Sequence, residues 1–382
     1  MIYFDNAATT LLKPPAVAQA VADAINGFGG VGRGAHEAAL SADRAVYAAR
    51  KQISDLFNGP GSARVAFGYN VTEALNMVVA GLLHEGDHAI TTAASHNSVL
   101  RPLFRKQDEE GVAVSVLPVA SDASIDYNAF EELFRPNTRL VVVTHASNLT
   151  GDVYDVARMA RIAHDHGALI CIDAAQTAGV VPIDMQADGI DIVAFTGHKS
   201  LFGPQGTGGL CLAEHVDIPW FKVGGTGVHS YDRHQPLYYP ERLEAGTINA
   251  HGIAGLSAGL AFIEEVGTEA IHAHELALVQ RFEEGIQGIS AVRLYGGHGG
   301  IDRTGIVSVN VGDVDSSVVS DLLAHEYGIC TRPGAHCAPL MHEALSTNDQ
   351  GQVRFSFGYF NTAEEVDTAI DALAALSQGL SG

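Results

Sequence analysis

The chain has 382 residues and a formal net charge of −22 at pH 7, with 47% hydrophobic and 17% charged residues. This length and composition predict a globular protein of roughly two or three domains and exclude an intrinsically disordered chain. The acidic excess argues against nucleic acid and anionic membrane surfaces as partners, because both need concentrated lysine and arginine. The N-terminal stretch lacks a signal-peptide pattern and no apolar run could span a bilayer, so we expect a cytoplasmic protein.

The first long pattern in the chain is helical. Residues 14–26, PPAVAQAVADAIN, predict a helix opened by proline and capped by Gly27. Residues 27–32, GFGGVG, match the G-x-G-x-x-G fingerprint of dinucleotide sites. That motif requires a strand before it and a helix after it. Because a helix comes first here, we predict a loop and not a dinucleotide site.

From about residue 63, short apolar runs alternate with helical patterns. Runs such as LVVV at 140–143 and ALICI at 168–172 are apolar at consecutive positions, as in strands that are buried on both faces of a parallel sheet. The strand-like runs in this part of the chain are RVAFG, HAITT, GVAVSVLPV, TRLVVVTHAS, ALICIDAA and DIVAFTG. We predict an α/β, doubly wound domain over residues 16–255.

A different pattern follows residue 249. NAHGIAGLSAGLAFIEEVG predicts a long helix, after which strands at 304–312 and 352–360 alternate with helices at 316–328 and 363–378. Thr362 and Glu365 have the spacing of a capping box at the start of the last helix. We predict a smaller α+β domain formed by residues 1–15 and 256–382.

The cysteines and histidines give one candidate site. Cys337 lies in a loop between Gly334 and Pro339 with His336 beside it and Arg332 nearby, and such neighbours favour the nucleophilic thiolate. The alternative is a bystander thiol or a disulfide partner of Cys330. The other cysteines lie in apolar runs and are expected to be inert core residues, Cys171 and Cys211.

Two histidine pairs are candidates for metal ligands. HDH at 164–166 and HAH at 272–274 place histidines two residues apart on predicted helices, where they do not face each other. We therefore interpret them as solvated positions and predict no metal site.

Polar side chains follow several of the predicted parallel strands. Because ligands bind outside the carboxyl ends of the strands in open α/β sheets, these residues are expected to converge on one edge. Lys199 is unusual among them, because no other charged residue lies between Asp191 and Glu214. The set comprises Asn70 to Glu73, His96, Asn148, Asp173, Gln176, Thr196, His198 and Lys199.

These residue types suit one cofactor. A buried Asp173 needs a positive partner, which a lysine or a protonated pyridine nitrogen could supply. Thr72 opens a helix after a strand, where free N–H groups favour a phosphate, although it could equally be an N-cap. His96 could stack on a flat ring or be structural. With a lysine of lowered pKa, the set describes a pyridoxal 5′-phosphate pocket.

Longer segments carry a family resemblance. The chain resembles class V aminotransferases, within the fold-type I pyridoxal-phosphate enzymes, and is most similar to cysteine desulfurases and selenocysteine lyases. The resemblance covers essentially the whole chain and implies a large, mainly parallel doubly wound domain with a smaller α+β C-terminal domain. The matching segments are YFDNAATT at 3–10, VTEALN at 71–76, SHNSVL at 95–100, THASNLTG at 144–151, IDAAQTAG at 172–179, FTGHKSLFGPQGTGGL at 195–210, EAGTIN at 244–249, RPGAHCAPL at 332–340 and RFSFGYFNTAEEVD at 354–367.

The resemblance implies a role for each matching residue. Lys199 would hold the cofactor as a Schiff base and move protons, Asp173 would pair with the pyridinium nitrogen, and Gln176 would bond the ring hydroxyl. His96 would stack on the ring and act in proton transfer. The phosphate would be held by Val71, Thr72, Thr196, His198 and, from a second subunit, Thr247. The substrate would be bound by Asn148, Arg354, Arg332 and His36.

The implied reaction converts L-cysteine to L-alanine, with the sulfur taken by Cys337 as a persulfide. A homodimer and a sulfur-acceptor protein are the implied partners. Alternatives are a selenocysteine lyase, a C–S lyase without persulfide, an aminotransferase, or a non-catalytic sulfur-carrier scaffold. Three positions depart from the family pattern: Val71 replaces a frequent Thr, Ser95 a frequent Glu, and Ala335 a second His. The last bears on the preference for sulfur or selenium.

Overall fold

The computed structural model describes residues 1–32, 34–297 and 302–380. The strands are β1 (Ile2–Tyr3), β2 (Val65–Gly68), β3 (His88–Thr92), β4 (Ala113–Leu117), β5 (Thr138–Thr144), β6 (Leu169–Asp173), β7 (Ile192–Thr196), β8 (Gly208–Leu212), β9 (Val292–Tyr295), β10 (Ile306–Val311), β11 (Ile329–Cys330) and β12 (Val353–Ser356). The helices are α1 (Pro15–Gly27), α2 (Glu37–Leu56), α3 (Val71–Leu82), α4 (Asn97–Glu110), α5 (Tyr127–Glu132), α6 (Val156–Asp165), α7 (Met185–Asp188), α8 (Ala250–Val266), α9 (Thr268–Ile286), α10 (Ser316–Tyr327), α11 (Pro339–Leu345) and α12 (Ala363–Leu380). None of these helices is both long and apolar enough to cross a membrane.

A seven-stranded sheet in the order β2-β8-β7-β6-β5-β3-β4 forms the centre of the fold. Strands β7, β6, β5, β3 and β4 run parallel to their neighbours in this order, which confirms the predicted α/β fold with a mainly parallel sheet. On β5, Val141 and Val143 enter one apolar cluster, while Leu140 and Val142 enter another on the opposite face. Burial on both faces explains why consecutive residues of this strand are apolar.

Strand β8 is antiparallel to both of its neighbours, β7 and β2. The sequence indicates a strand there but not its direction. Glycine is required on β8 because the backbones approach closely, and a Cβ on Gly209 would lie 2.2 Å from the Ala66 carbonyl oxygen. The insertion of β8 leaves the carboxyl ends of β2, β3, β5, β6 and β7 at one edge.

A second group of elements packs around the antiparallel sheet β12-β10-β9. Strand β1 pairs in parallel with β11, and Phe4 lies in the apolar cluster of these C-terminal elements. The predicted capping box of α12 is confirmed, because Thr362 Oγ1 accepts the Glu365 N–H at 3.3 Å and Glu365 Oε2 accepts the Thr362 N–H at 3.2 Å. The division into domains at residues 15 and 255 stays a prediction.

Some local expectations were incomplete or wrong. Gly27 is the last residue of α1, and Phe28 follows it as an extended C-cap. Helix α2 was not predicted, although its buried residues, which include Ala42, Val46 and Ala49, have helical spacing.

The HAH histidines are not solvated, which corrects a prediction. His272 Nε2 lies 2.7 Å from the Arg303 carbonyl oxygen, and His274 Nε2 lies 3.0 Å from that of Asn361. In the HDH pair, His164 is more exposed and contacts Asp191 at 3.0 Å. Within the described ranges, no group of three or more His, Cys, Asp or Glu side chains is arranged to hold a metal ion.

Candidate active site

The predicted polar residues meet at the carboxyl edge of the large sheet. Turns after β3, β5, β6 and β7 carry His96, Asn148, Gln176 and Lys199, and Asp173 is the last residue of β6. The C-terminal elements add a second wall, because charges on Arg354 and Arg332 act on Lys199. Residues distant in sequence therefore share one site.

Lys199 lies in the turn after β7 and is partly buried. Burial lowers the pKa of Lys199 to about 8, nearby Asp173 opposes this shift, and Arg354 reinforces it. The carbonyl of His198, in the peptide that precedes Lys199, accepts hydrogen bonds from Thr10 N, Thr9 Oγ1 and Lys13 Nζ at 3.1, 3.2 and 3.3 Å. The N-terminal segment thus fixes the turn that presents the lysine.

Asp173 at the end of β6 is 3% exposed. Its Oδ1 accepts the Ala175 N–H at 3.0 Å and its Oδ2 accepts the Ser98 hydroxyl at 3.3 Å. Burial raises the pKa of Asp173, while the Ala175 N–H and the charge of Lys199 lower it. No ion pair to Asp173 forms within the described residues, so this buried carboxylate has a place for a cation.

His96 caps the N-terminus of α4. Its Nδ1 accepts the Ser98 N–H at 3.0 Å and lies 2.8 Å from Ser98 Oγ, which assigns the proton of the neutral ring to Nε2. Burial, followed by the charges of Lys199 and Arg332, lowers the pKa of His96 to about 4. The imidazole is therefore neutral at neutral pH.

The side of the site toward α3 holds the residues predicted to bind phosphate. Asn70 is the N-cap, because its Oδ1 accepts the Glu73 N–H at 3.0 Å, so the alternative reading of Thr72 as an N-cap is wrong. Val71 is buried and the side chain of Thr72 is exposed in the first turn of α3, where backbone N–H groups are free.

Three more predicted residues lie beside Lys199. Thr196 Oγ1 is buried and has no hydrogen-bond partner among the described residues. His198 Nδ1 lies 3.1 Å from Thr9 Oγ1, and burial lowers the pKa of His198 to about 4. Gln176 Nε2 donates to the Ala7 carbonyl at 3.2 Å.

Arg354 on β12 is 1% exposed and holds two groups. Its Nη2 donates to Asp5 Oδ1 at 3.0 Å and its Nη1 donates to the Asn148 carbonyl at 2.9 Å, whereas Nε has no partner in the described part of the chain. Burial lowers the pKa of Arg354 to about 10, and Asp5 opposes that shift. The Asn148 side chain donates through Nδ2 to the His336 carbonyl at 2.7 Å, and none of the residues described by the structure donates to its Oδ1.

Cys337 lies on the segment 331–338 between β11 and α11 and is partly exposed. It is a free thiol, as is Cys330, so the alternative of a disulfide between them is wrong. His336 Nε2 donates to the Arg332 carbonyl at 2.9 Å, and burial holds the pKa of His336 well below its usual value. His336 is thus neutral and supplies no positive charge to the thiol, contrary to our expectation.

Two predicted residues do not join the site within one chain. His36 caps α2 by accepting the Ala39 N–H at 3.4 Å and packs near Gly29 and Gly34. Thr247 is exposed and lines a surface cavity with Tyr69, Lys222 and Glu244, among others.

Sequence reasoning missed four residues that hold the others in place. Asp5 pairs with Arg354, Ser98 links His96 to Asp173, Lys13 binds the His198 carbonyl, and Asn97 donates its N–H to the Cys337 carbonyl at 2.8 Å. Asp5, Asn97 and Ser98 belong to the segments YFDNAATT and SHNSVL, which gave the only signal for them.

Comparison with known proteins gives consistent results. The Aminotransferase class-V family matches residues 2–369. A probable cysteine desulfurase from Methanothermobacter thermautotrophicus is 34% identical over 98% of this chain and 94% of its own length. A cysteine desulfurase from Klebsiella pneumoniae is 31% identical over 98% of this chain and 92% of its own length. The apo structure of cysteine desulfurase from Thermococcus onnurineus superimposes with a TM-score of 0.93 at 33% identity, covering 99% of this chain and 95% of that structure.

Proposed function

The chain belongs to the class V aminotransferase family, and we propose that it is a pyridoxal 5′-phosphate-dependent cysteine desulfurase that converts L-cysteine to L-alanine and takes the sulfur on Cys337. Enzymes of this family use this cofactor. The relatives at 31 and 34% identity over nearly the full chain are named cysteine desulfurases, which supports the same reaction here.

The main support for the proposal is that Lys199 has a lowered pKa and lies near Asp173, a buried carboxylate. An amine with a pKa of about 8 is readily neutral and nucleophilic, and a buried carboxylate without a cation suits a protonated ring nitrogen. The buried Thr196 hydroxyl, which bonds to no other described residue, offers a donor to a phosphate. The residues present therefore fit the cofactor.

In this proposal the cofactor is held by residues of the carboxyl edge. When bound, it supplies a conjugated, electron-withdrawing ring that stabilises negative charge at the substrate Cα. Lys199 holds it through the amine and then carries a proton to or from the substrate carbon. The remaining contacts come from Asp173, Gln176, His96, Val71, Thr72, Thr196 and His198.

The substrate is oriented by the wall opposite the sheet. Arg354 is suited to bind the carboxylate of the amino-acid substrate through its guanidinium, and Arg332 lies nearby. Asn148 can add its Oδ1 and its second N–H as further contacts to the substrate. The Cys337 thiolate forms a bond to the substrate sulfur as the substrate carbon–sulfur bond breaks. The products are a persulfide on Cys337 and, after the carbon gains a proton, alanine.

The test is alanine formation from L-cysteine by the cofactor-loaded protein, compared with Cys337→Ala. We expect the variant to bind the cofactor and to lose alanine formation, because its nucleophile is gone. Cys330→Ala is the matched control, since Cys330 is also a partly exposed free thiol. If wild type binds the cofactor but forms no alanine, the desulfurase assignment fails.

The alternatives give different products in the same assay. Pyruvate formed by Cys337→Ala indicates a C–S lyase without persulfide, and a keto acid formed with transfer of the amino group indicates an aminotransferase. Retained turnover of L-selenocysteine by Cys337→Ala indicates a selenocysteine lyase. A protein that binds no cofactor supports the non-catalytic scaffold.

We further propose a homodimer in which Thr247 serves the phosphate of the partner subunit. The exposure of Thr247 on the surface of its own chain supports this arrangement. Mixing Lys199→Ala with Thr247→Ala protein tests it, since a mixed dimer has one site with both an intact lysine and an intact threonine. Activity that stays at the sum of the two variants, or a fully active monomer in sedimentation, contradicts the proposal.

A sulfur-acceptor protein is the second proposed partner. Cys337 lies on a short segment, and its own carbonyl is hydrogen-bonded to the first residue of α4. Because the segment is held in this way, we expect an acceptor protein to take the sulfur from Cys337 at the active site. Turnover with a small thiol, compared with turnover after addition of a candidate acceptor, tests this, and no acceleration by any acceptor contradicts it. We place the reaction in the cytoplasm, where free thiols like the four in this chain stay reduced.

A further inference from the structure

The backbone around Cys337 is held in an uncommon conformation. His336 and Cys337 have φ values of +49° and +58°, a region that residues with a side chain enter at an energetic cost. Two such residues in sequence persist only where surrounding contacts hold them. The Cα of Cys337 lies between two backbone carbonyls, those of His336 and Cys337. The hydrogen bonds to these two carbonyls show what holds the segment.

Both carbonyls are bound by residues of the large sheet's carboxyl edge. The His336 carbonyl accepts from Asn148 Nδ2 at 2.7 Å, and the Cys337 carbonyl accepts from the Asn97 backbone N–H at 2.8 Å. Asn97 directly follows His96, and the Asn148 carbonyl accepts from Arg354. The cysteine is thereby connected to the two places where a substrate would be bound.

We propose that Asn97 and Asn148 are positioning residues that fix the Cys337 thiol relative to the substrate site. The Asn148 amide has two N–H groups, so one can hold the His336 carbonyl while the other and Oδ1 face a bound substrate. The Asn97 N–H is available because the first N–H groups of a helix have no intrahelical partner. This inference rests on the proposed nucleophilic role of Cys337.

The substitution Asn97→Pro removes one of these bonds with little other change. Asn97 is the first residue of α4, where proline is well tolerated and its missing N–H costs no helical hydrogen bond. The preceding residue, His96, has φ −69° and ψ 157°, the extended conformation that a following proline favours. Among the residues that the structure describes, none forms a hydrogen bond with the Asn97 side chain, so Asn97→Ala is the matched control that keeps the N–H.

The first readout is alkylation by iodoacetamide in the cofactor-free protein, with each cysteine followed by mass spectrometry. Release of the segment is expected to raise the alkylation rate of Cys337 by about threefold or more, as the thiol becomes more accessible. Cys171 and Cys211 are fully buried and report unfolding, so they must stay unmodified. Asn97→Ala should react like wild type.

The second readout is steady-state alanine formation. Asn97→Pro should lower kcat by about tenfold with little change in KM, because a displaced nucleophile affects the reaction and not the binding of substrate. Asn148→Asp, which replaces the donor to the His336 carbonyl by an acceptor, should raise Cys337 alkylation in the same way. If both variants are folded and alkylate Cys337 at the wild-type rate, the positioning role is wrong. If alkylation changes but wild type makes no alanine, the positioning role stands and the desulfurase assignment fails.

Discussion

Arg354 and Asp5 form an ion pair that joins the last strand of the chain to its fifth residue. Arg354 Nη2 lies 3.0 Å from Asp5 Oδ1, with the guanidinium 1% exposed and the carboxylate side chain 23% exposed. A buried guanidinium without its partner is costly, so the pair ties the N-terminal segment to the proposed carboxylate site.

Asp5→Asn should therefore lower both stability and substrate binding. We expect a loss of about 2 kcal/mol in the free energy of unfolding, smaller than for a fully buried pair because Asp5 is partly solvated. KM for L-cysteine should rise as Arg354 loses its orientation. Urea unfolding and steady-state kinetics measure the two effects. Asp367→Asn is the control, because its pair with Arg281 is exposed and should contribute little; equal losses in both variants would contradict the prediction.

The lowered pKa of Lys199 should set the pH dependence of cofactor attachment. Only the neutral amine reacts, so the rate of attachment to cofactor-free protein should rise with pH through a midpoint of about 8, not near the usual value of 10.5. Asp173→Asn should move the midpoint lower, since the Asp173 charge raises the pKa of Lys199. Stopped-flow absorbance measures the rate.

Lys13 provides the control for this titration. Burial also lowers the pKa of Lys13 to about 8, so a midpoint near 8 could in principle arise from either lysine. Lys13→Arg keeps a donor for the His198 carbonyl but cannot titrate in this range. A midpoint that persists in Lys13→Arg, together with loss of attachment in Lys199→Ala, assigns the titration to Lys199; disappearance of the midpoint in Lys13→Arg would contradict it.

Ser98→Ala should weaken cofactor binding. The Ser98 hydroxyl donates a hydrogen bond that lowers the pKa of Asp173, and it also contacts His96. The substitution removes this hydrogen bond and the link between Asp173 and His96. A carboxylate that ionises less readily is a poorer partner for the pyridinium nitrogen of the cofactor. We therefore expect the dissociation constant of the cofactor to rise by about fivefold, or roughly 1 kcal/mol. Equilibrium dialysis measures it. Ser95→Ala, another buried serine whose hydroxyl bonds Thr91 instead, should bind as wild type.

Glu275 on α9 should make the protein progressively less stable as the pH rises from about 4.5 to about 8. Burial raises the pKa of Glu275 to about 8, although the Gly305 N–H opposes the shift. Between the ordinary value of 4.5 and about 8, the unfolded chain has lost this proton and the folded chain retains it, so the free energy of unfolding falls as pH rises, by on the order of 1 kcal/mol per pH unit. Glu275→Gln should remove this slope and be more stable than wild type at pH above about 8.

Thermal and urea unfolding across pH measure the Glu275 effect. Glu269→Gln, an exposed carboxylate on the same helix, controls for the loss of one negative charge. If the free energy of unfolding depends on pH in the same way in wild type and in Glu275→Gln, Glu275 is not the group responsible.

Much of the sheet could be predicted because its signal is local. Residues of β5 are apolar at consecutive positions since both faces of the strand are buried, and the same pattern marked β6 and β7. The direction of β8 could not be predicted, because an apolar run does not encode which neighbour it pairs with or in which sense. Helix α2 was missed, since its small buried residues, largely alanines, give a weak apolar pattern.

The candidate site divides in the same way. Lys199 and Asp173 could be identified from residue type and position after strands, because ligands collect at the carboxyl ends of parallel strands. Asp5 and Asn97 could not be assigned, since their roles depend on contacts with residues far away in sequence, and backbone N–H donors have no sequence signature.

The sequence by itself determined the chemistry available to this protein: a solitary lysine and an aspartate at strand ends, and a cysteine in a short loop, in the order of one family. Tertiary structure decided the charge and orientation of these groups. Burial makes His336 neutral although it neighbours Cys337, and contacts across the chain hold Cys337 between Asn97 and Asn148. The reason is physical: reactive groups are local properties of residues, whereas pKa values and positions depend on solvent exclusion and on partners that only folding brings together.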